Sequence, residues 1–143
     1  MATTLQRLVR RALLAHLKAD TGLTDLVPAG SINPAGVPTW PHILLRAPLT
    51  RPFYAAAVEG AEVSWDVHAF AGPRESAGAV AETAEDHAGS IGGAIETALS
   101  PRWIDLEDGG RVRVRLSDIR LLEDGDRDHY HWFAQINCRV LAA

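Results

Sequence analysis

Apolar and polar positions along this chain follow two periods, and the changes between them mark its elements. Leu5, Leu8, Val9, Ala12, Leu13, His16 and Leu17 recur at helical spacing, with Arg7, Arg10, Arg11 and Lys18 mostly on the other side. This predicts a helix over about residues 4–20, with Thr3 or Thr4 as its cap and Gly22 as the left-handed residue past its end. Residues 21–41 are turn-rich, broken by Pro28, Gly30, Pro34, Gly36, Pro38 and Pro41. His42 to Ala47 reads as a short apolar strand. Residues 48–61 read as a loop, holding Pro48, Pro52 and Gly60 around an apolar run from Phe53 and Tyr54 through Ala55, Ala56, Ala57 and Val58. Such a run suits either a contact surface or a hairpin tip folded back on its own domain.

From Glu62 to Phe70 the period is two, with Val63, Trp65, Val67 and Ala69 on one side. Gly72-Pro73 predicts the start of a long helix whose stripe runs through Ala77, Val80, Ala81, Ala84, Ala88, Ile91, Ile95, Ala98 and Leu99, with Ser100-Pro101 as its stop. Gly89, Gly92 and Gly93 interrupt its second half and permit close packing, a kink or a break. Asp108-Gly109-Gly110 predicts a hairpin turn into a strand over Arg111–Leu122. An acidic turn, Glu123 to Asp128, leads to a last strand over Tyr130–Leu141. Its face of Tyr130, Trp132, Ala134, Ile136, Cys138 and Val140 belongs at a sheet centre. The expected fold is α+β: a single mixed or antiparallel sheet of about four strands against two main helices, in the order α-β-β-α-β-β. Residues 1–143 are expected to form one domain.

Composition removes some classes of function. With 14 Lys and Arg against 18 Asp and Glu, the net charge of −4 argues against bulk electrostatic binding to nucleic acid. No apolar run has the length of a membrane span, and the first helix lacks a signal-peptide core, so the chain is expected in the cytoplasm. Charge is unevenly placed. The first helix is basic, while residues 73–99 set Arg74 against Glu75, Glu82, Glu85, Asp86 and Glu96. Two solvated faces explain this, as does a charge-complementary contact between subunits.

Candidate chemistry is thin. Cys138, the one cysteine, sits in an apolar strand and reads as a small buried hydrophobe. His16 reads as a boundary histidine. Asp66 and His68 share a strand face but have no nucleophile placed beside them. Arg111, Arg113 and Arg115 could grip carboxylates or phosphates, or pair across the hairpin with Asp105, Glu107 and Asp108. The run Asp124 to His129 lacks the spacing of a calcium loop. His129 and His131, with Asp126 or Asp128, form a weak transition-metal candidate. The expectation is no catalytic residue, no metal and no cofactor. Trp40, just before the first strand, suits a core plug or an interface anchor.

Longer patterns add a resemblance. Leu13-Leu14-Ala15-His16-Leu17-Lys18-Ala19-Asp20 followed by Leu23-Thr24-Asp25-Leu26-Val27 looks like an opening helix and "LTALV" turn. Pro41-His42-Ile43-Leu44-Leu45 and Val63-Ser64-Trp65-Asp66-Val67-His68-Ala69-Phe70 look like two characteristic strands, and Asp128-His129-Tyr130-His131-Trp132 like the lead-in to a last strand. In this order they resemble the tail-completion, or tail-terminator, family of long-tailed bacteriophages and phage-like particles. The likeness spans essentially the whole chain; Trp132 and the glycine-rich late helix depart from the family pattern. The resemblance implies a virion protein at the tail–neck junction, assembled in the host cytoplasm. It implies a homo-hexameric ring that caps the finished tail tube, touching the major tail tube protein and the head–tail connector. DNA would pass through without sequence-specific binding, and no membrane, enzyme activity or cofactor is involved. Interface candidates are Arg7, Arg10, Arg11, Trp40, Phe53, Tyr54, Glu82, Glu85 and Asp86. The competing assignments are another neck protein, such as a head-completion adaptor, or a small metal-binding or enzymatic domain.

Overall fold

The structure, a computed structural model, describes residues 2–55 and 58–141, with the side chains of residues 54, 55, 58 and 59 also outside the description. Ala56 and Ala57 of the apolar 48–61 segment therefore lie outside the described residues. The architecture is α+β. Strands β1 (His42–Ala55), β2 (Val58–Ala71), β5 (Arg102–Asp105), β6 (Arg111–Glu123) and β7 (Tyr130–Leu141) form one antiparallel sheet in the order β1-β2-β7-β6-β5. Helices α1 (Ala2–Ala19) and α3 (Ala84–Leu99) pack on one face of it; a short α2 (Thr21–Thr24) and a 3₁₀ turn (Ala29–Ser31) follow α1. A hairpin, β3 (Arg74–Ser76) and β4 (Ala79–Glu82), forms a separate two-stranded sheet.

The core lies between sheet and helices. Leu5, Val9, Leu13 and Leu17 of α1 and Ile91, Ile95 and Leu99 of α3 meet Val63, Trp65 and Val67 of β2 and Ala134, Ile136 and Val140 of β7. These are the inward positions of the expected stripes and alternations, and β7 is the central strand. His16 joins the two helices, its Nε2 lying 2.8 Å from the Ala98 carbonyl oxygen. At Gly92 the backbone of α3 comes so close to the Trp132 ring that a Cβ would overlap it. The close-packing reading of the glycines holds there, while Gly89 and Gly93 face open space.

Several expectations are corrected. The sheet has five strands rather than four, because Arg102–Asp105 pairs with Arg111–Val114 across the Asp108-Gly109-Gly110 turn. Gly109 supplies the positive φ of 89°. The long helix does not begin at Pro73. Ala77 and Gly78 take φ values of 53° and 78° and turn the chain tightly, as a two-residue hairpin requires. Only then does Thr83 cap α3, its side-chain oxygen accepting from the Asp86 N–H at 3.2 Å. Ala77, Val80 and Ala81 are thus exposed rather than part of a buried stripe.

Residues 48–55 and 58–61 are strand, not loop. Pro48 and Pro52 fit because β1 is an edge strand, where a missing N–H costs no ladder bond. A bulge between Arg46 and Leu49, with Ala47 at φ 50°, absorbs the irregularity. Thr3 and Thr4 lie inside α1 rather than capping it. Gly22 lies within α2, and Asp20 caps that helix through the Leu23 N–H at 2.9 Å.

Candidate functional site

The helices leave the other face of the sheet uncovered, and strand register decides what stands on it. One row crosses the sheet as Arg51, Glu62, Arg139 and Arg113; the next as Leu49, Ser64, Asn137 and Arg115. These residues line a groove of about 510 Å³. Four arginines face one acid, so this half of the face is cationic. Asn137 Nδ2 donates to Ser117 Oγ at 2.7 Å, and the Arg139 guanidinium lies 5.1 Å over the Phe53 ring.

The other half of the same face is aromatic. His42 stacks on Phe70 at 4.8 Å, His68 stacks on Phe70 at 5.8 Å, and His131 lies 5.3 Å from His68 and 5.0 Å from Phe70. Phe133 flanks His68, and Trp40 closes the cluster edge-on to His42, Phe70 and His129. The Nδ1 atoms of His42, His68 and His131 are buried without a hydrogen-bond partner. Burial pushes the His42 ring below its ordinary pKa, against a smaller opposing effect of a backbone hydrogen bond with Thr39. Burial does the same to His68, helped by His131 and Arg46 and opposed by Asp66. Alternation signalled these residues only in part: the polar sides of β2 and β7 were visible, but the pairing that stacks Phe70 between histidines of three strands was not.

The chemistry raised by the sequence is placed as follows. His68 packs on aromatic rings, and its buried Nδ1 has no hydrogen-bond partner. His129 Nδ1 lies 2.9 Å from Asp126 Oδ1, which holds that carboxyl below its usual range, while His131 sits 4.0 Å from Asp124. Among the described residues, no group of three or more His, Cys, Asp or Glu is arranged to hold a metal ion. Cys138 is buried, and burial pushes its thiol up to about 12. Arg111 pairs with Asp105 at 3.1 Å, but Glu107 turns to Arg11 at 2.9 Å and Asp108 accepts from the Gly110 N–H, which leaves Arg113 and Arg115 on the open face.

The interface candidates fall on separate surfaces. Arg7 and Arg10 are exposed on α1. Glu85 and Asp86 are exposed in the first turn of α3. Glu82 is half-buried, holding Arg74 at 2.6 Å and accepting from Ser90. Trp40 is 45% exposed while still packing on the aromatic cluster, and Phe53 is half-buried under Arg139. Tyr54 lies in β1, with its side chain outside the described residues.

Comparison with known proteins gives one family and one architecture. Residues 11–141 match the family described as "Tail completion protein gp17". Among solved structures, a chain of the "Virion of native gene transfer agent (GTA) particle" superposes with a TM-score of 0.75 at 16% identity, over 96% of this chain and 98% of that chain. No curated protein matches by sequence. Among the described residues, no helix is long and apolar enough to cross a membrane.

Proposed function

This chain belongs to the tail completion protein gp17 family, a bacteriophage tail component, and from that premise we propose that it closes the finished tail tube and joins it to the head-side connector as a hexameric ring. The family match across residues 11–141 carries the reading. Likeness of fold to a chain of a phage-like particle supports it. Function then resides in surfaces rather than in a reacting centre, and the protein is proposed to be no enzyme and to use no cofactor.

A closed ring needs unlike patches on its two sides. The cationic half of the open face offers one, through Arg51, Arg113, Arg115 and Arg139. Glu85 and Asp86 of α3, and Arg7 and Arg10 of α1, offer others. Trp40 and Phe53 supply aromatic anchors beside them. The proposed partners are further copies of this chain, the major tail tube protein and the head–tail connector. DNA passes through without its bases being read, in keeping with the net charge of −4. Residues 1–143 act as one domain in this reading.

Deletion of the gene, followed by electron microscopy of the particles, tests the proposal. Unjoined heads and tails of uncontrolled length are expected, with rescue by a copy supplied in trans. Tails of normal length joined to heads would refute it. Filled heads that leak DNA beside normal tails would point instead to a head-side adaptor.

A further inference from the structure

Among the described residues, the β3–β4 hairpin packs closely against no other element. Every residue from Arg74 to Ala81 is exposed, Val80 to 59%. A lone two-stranded hairpin is marginal in water. Among the described residues, the Arg74–Glu82 ion pair ties its two strands at the root, and the Ser90–Glu82 hydrogen bond at 2.9 Å ties that root to α3. Its two edges differ. The β3 edge carries Arg74 and Glu75, and charges on an edge discourage strand addition. The β4 edge carries Ala79, Val80 and Ala81, uncharged and with a β-branched residue among them, before Glu82, whose carboxylate is held by Arg74.

The main sheet has one matching edge. β5 pairs with β6 only over Arg111–Val114, and the Leu116 N–H donates to Ser100 Oγ at 3.1 Å. A bulge between Ser117 and Arg120, with Asp118 at φ 54°, interrupts β6, and from Arg120 to Glu123 it pairs with β7 on one side and with no strand among the described residues on the other. That stretch exposes Leu121 and Leu122 to 40% each, with Ile119 of the bulge exposed to 48% just before it, which is unusual for a free edge. The opposite edge of the sheet, β1, carries Pro48 and Pro52, which have no N–H to offer an added strand.

We propose that β4 of one copy adds as a further strand to the Arg120–Glu123 edge of β6 in a second copy of this chain. Backbone hydrogen bonds supply affinity, and Val80 against Leu121 supplies register. The inference rests on the ring reading and deepens it. Hairpin and edge are different patches, so the contact runs head to tail from subunit to subunit and closes only as a ring.

The test uses the full chain with Cys138→Ala throughout. Val80→Cys and Leu121→Cys proteins are made separately, mixed, oxidised and analysed for cross-linked pairs, while Val80→Lys is examined for oligomeric state by light scattering. The expected result is a disulfide joining one protein of each kind, and loss of the oligomer in Val80→Lys with an unchanged circular dichroism spectrum. Oligomers that form without the cross-link and persist in Val80→Lys would overturn the hairpin contact and leave the ring standing. A parent protein that stays monomeric up to its solubility limit would count against both.

Discussion

At Gly92 the buried side of α3 has room for a hydrogen atom and nothing larger. The indole of Trp132 fills the space a Cβ would need, so the largest side chain of β7 and the smallest of α3 form one fit. Gly92→Ala should therefore overpack this contact and cost about 1–3 kcal/mol, read as a lowered denaturant midpoint. Replacing Trp132 with Leu in the same chain should recover part of the loss, because the two changes are coupled. Gly89→Ala and Gly93→Ala should do the opposite. A Cβ at either position meets nothing within 4 Å, and alanine is favoured over glycine in a helix interior by about 1 kcal/mol. The two departures from the family pattern noted in the sequence are in this sense a single feature. Neither could be matched to the other before the register of β7 against α3 was known.

The elements show where sequence patterns carry and where they stop. α1, β2 and β7 were legible because each has one wet and one dry side, and burial follows that alternation residue by residue. The β3–β4 hairpin was not legible. Ala77, Val80, Ala81 and Ala84 continue the helical spacing of Ala88 and Ile91, and periodicity cannot see that Ala77-Gly78 turns left-handed. The decisive local signal was Thr83, a cap with acidic residues in the turn after it. Removing that signal should loosen the start of α3: Thr83→Ala is expected to cost about 1 kcal/mol by chemical denaturation, with the sheet unaffected. The open face was half legible. Its arginines were seen on one strand, but gathering Arg51, Arg113, Arg115 and Arg139 requires strands far apart in the chain to pair.

Over the whole molecule, the histidine-rich end of the open face ties stability to pH. His42 and His68 titrate below 6.5 in the fold, chiefly because burial disfavours the charged ring, and regain the ordinary value on unfolding. Below pH 6.5 the unfolded chain then binds more protons than the native one. This contribution to stability is complete above that pH and is lost as the pH falls through the folded values. Denaturation at a series of pH values should show this acid-side decline, and His42→Phe, which keeps a ring against Phe70, should flatten it. The strand order has a consequence in time as well as in space. β7 is made after every other strand of the sheet, yet it sits between β2 and β6, pairing Gly60 with Leu141 and Val112 with Val140. Until it emerges from the ribosome, the β1–β2 and β5–β6 hairpins have no common partner and the core cannot close. This topology slows folding, because distant segments must meet before any contact repays the search.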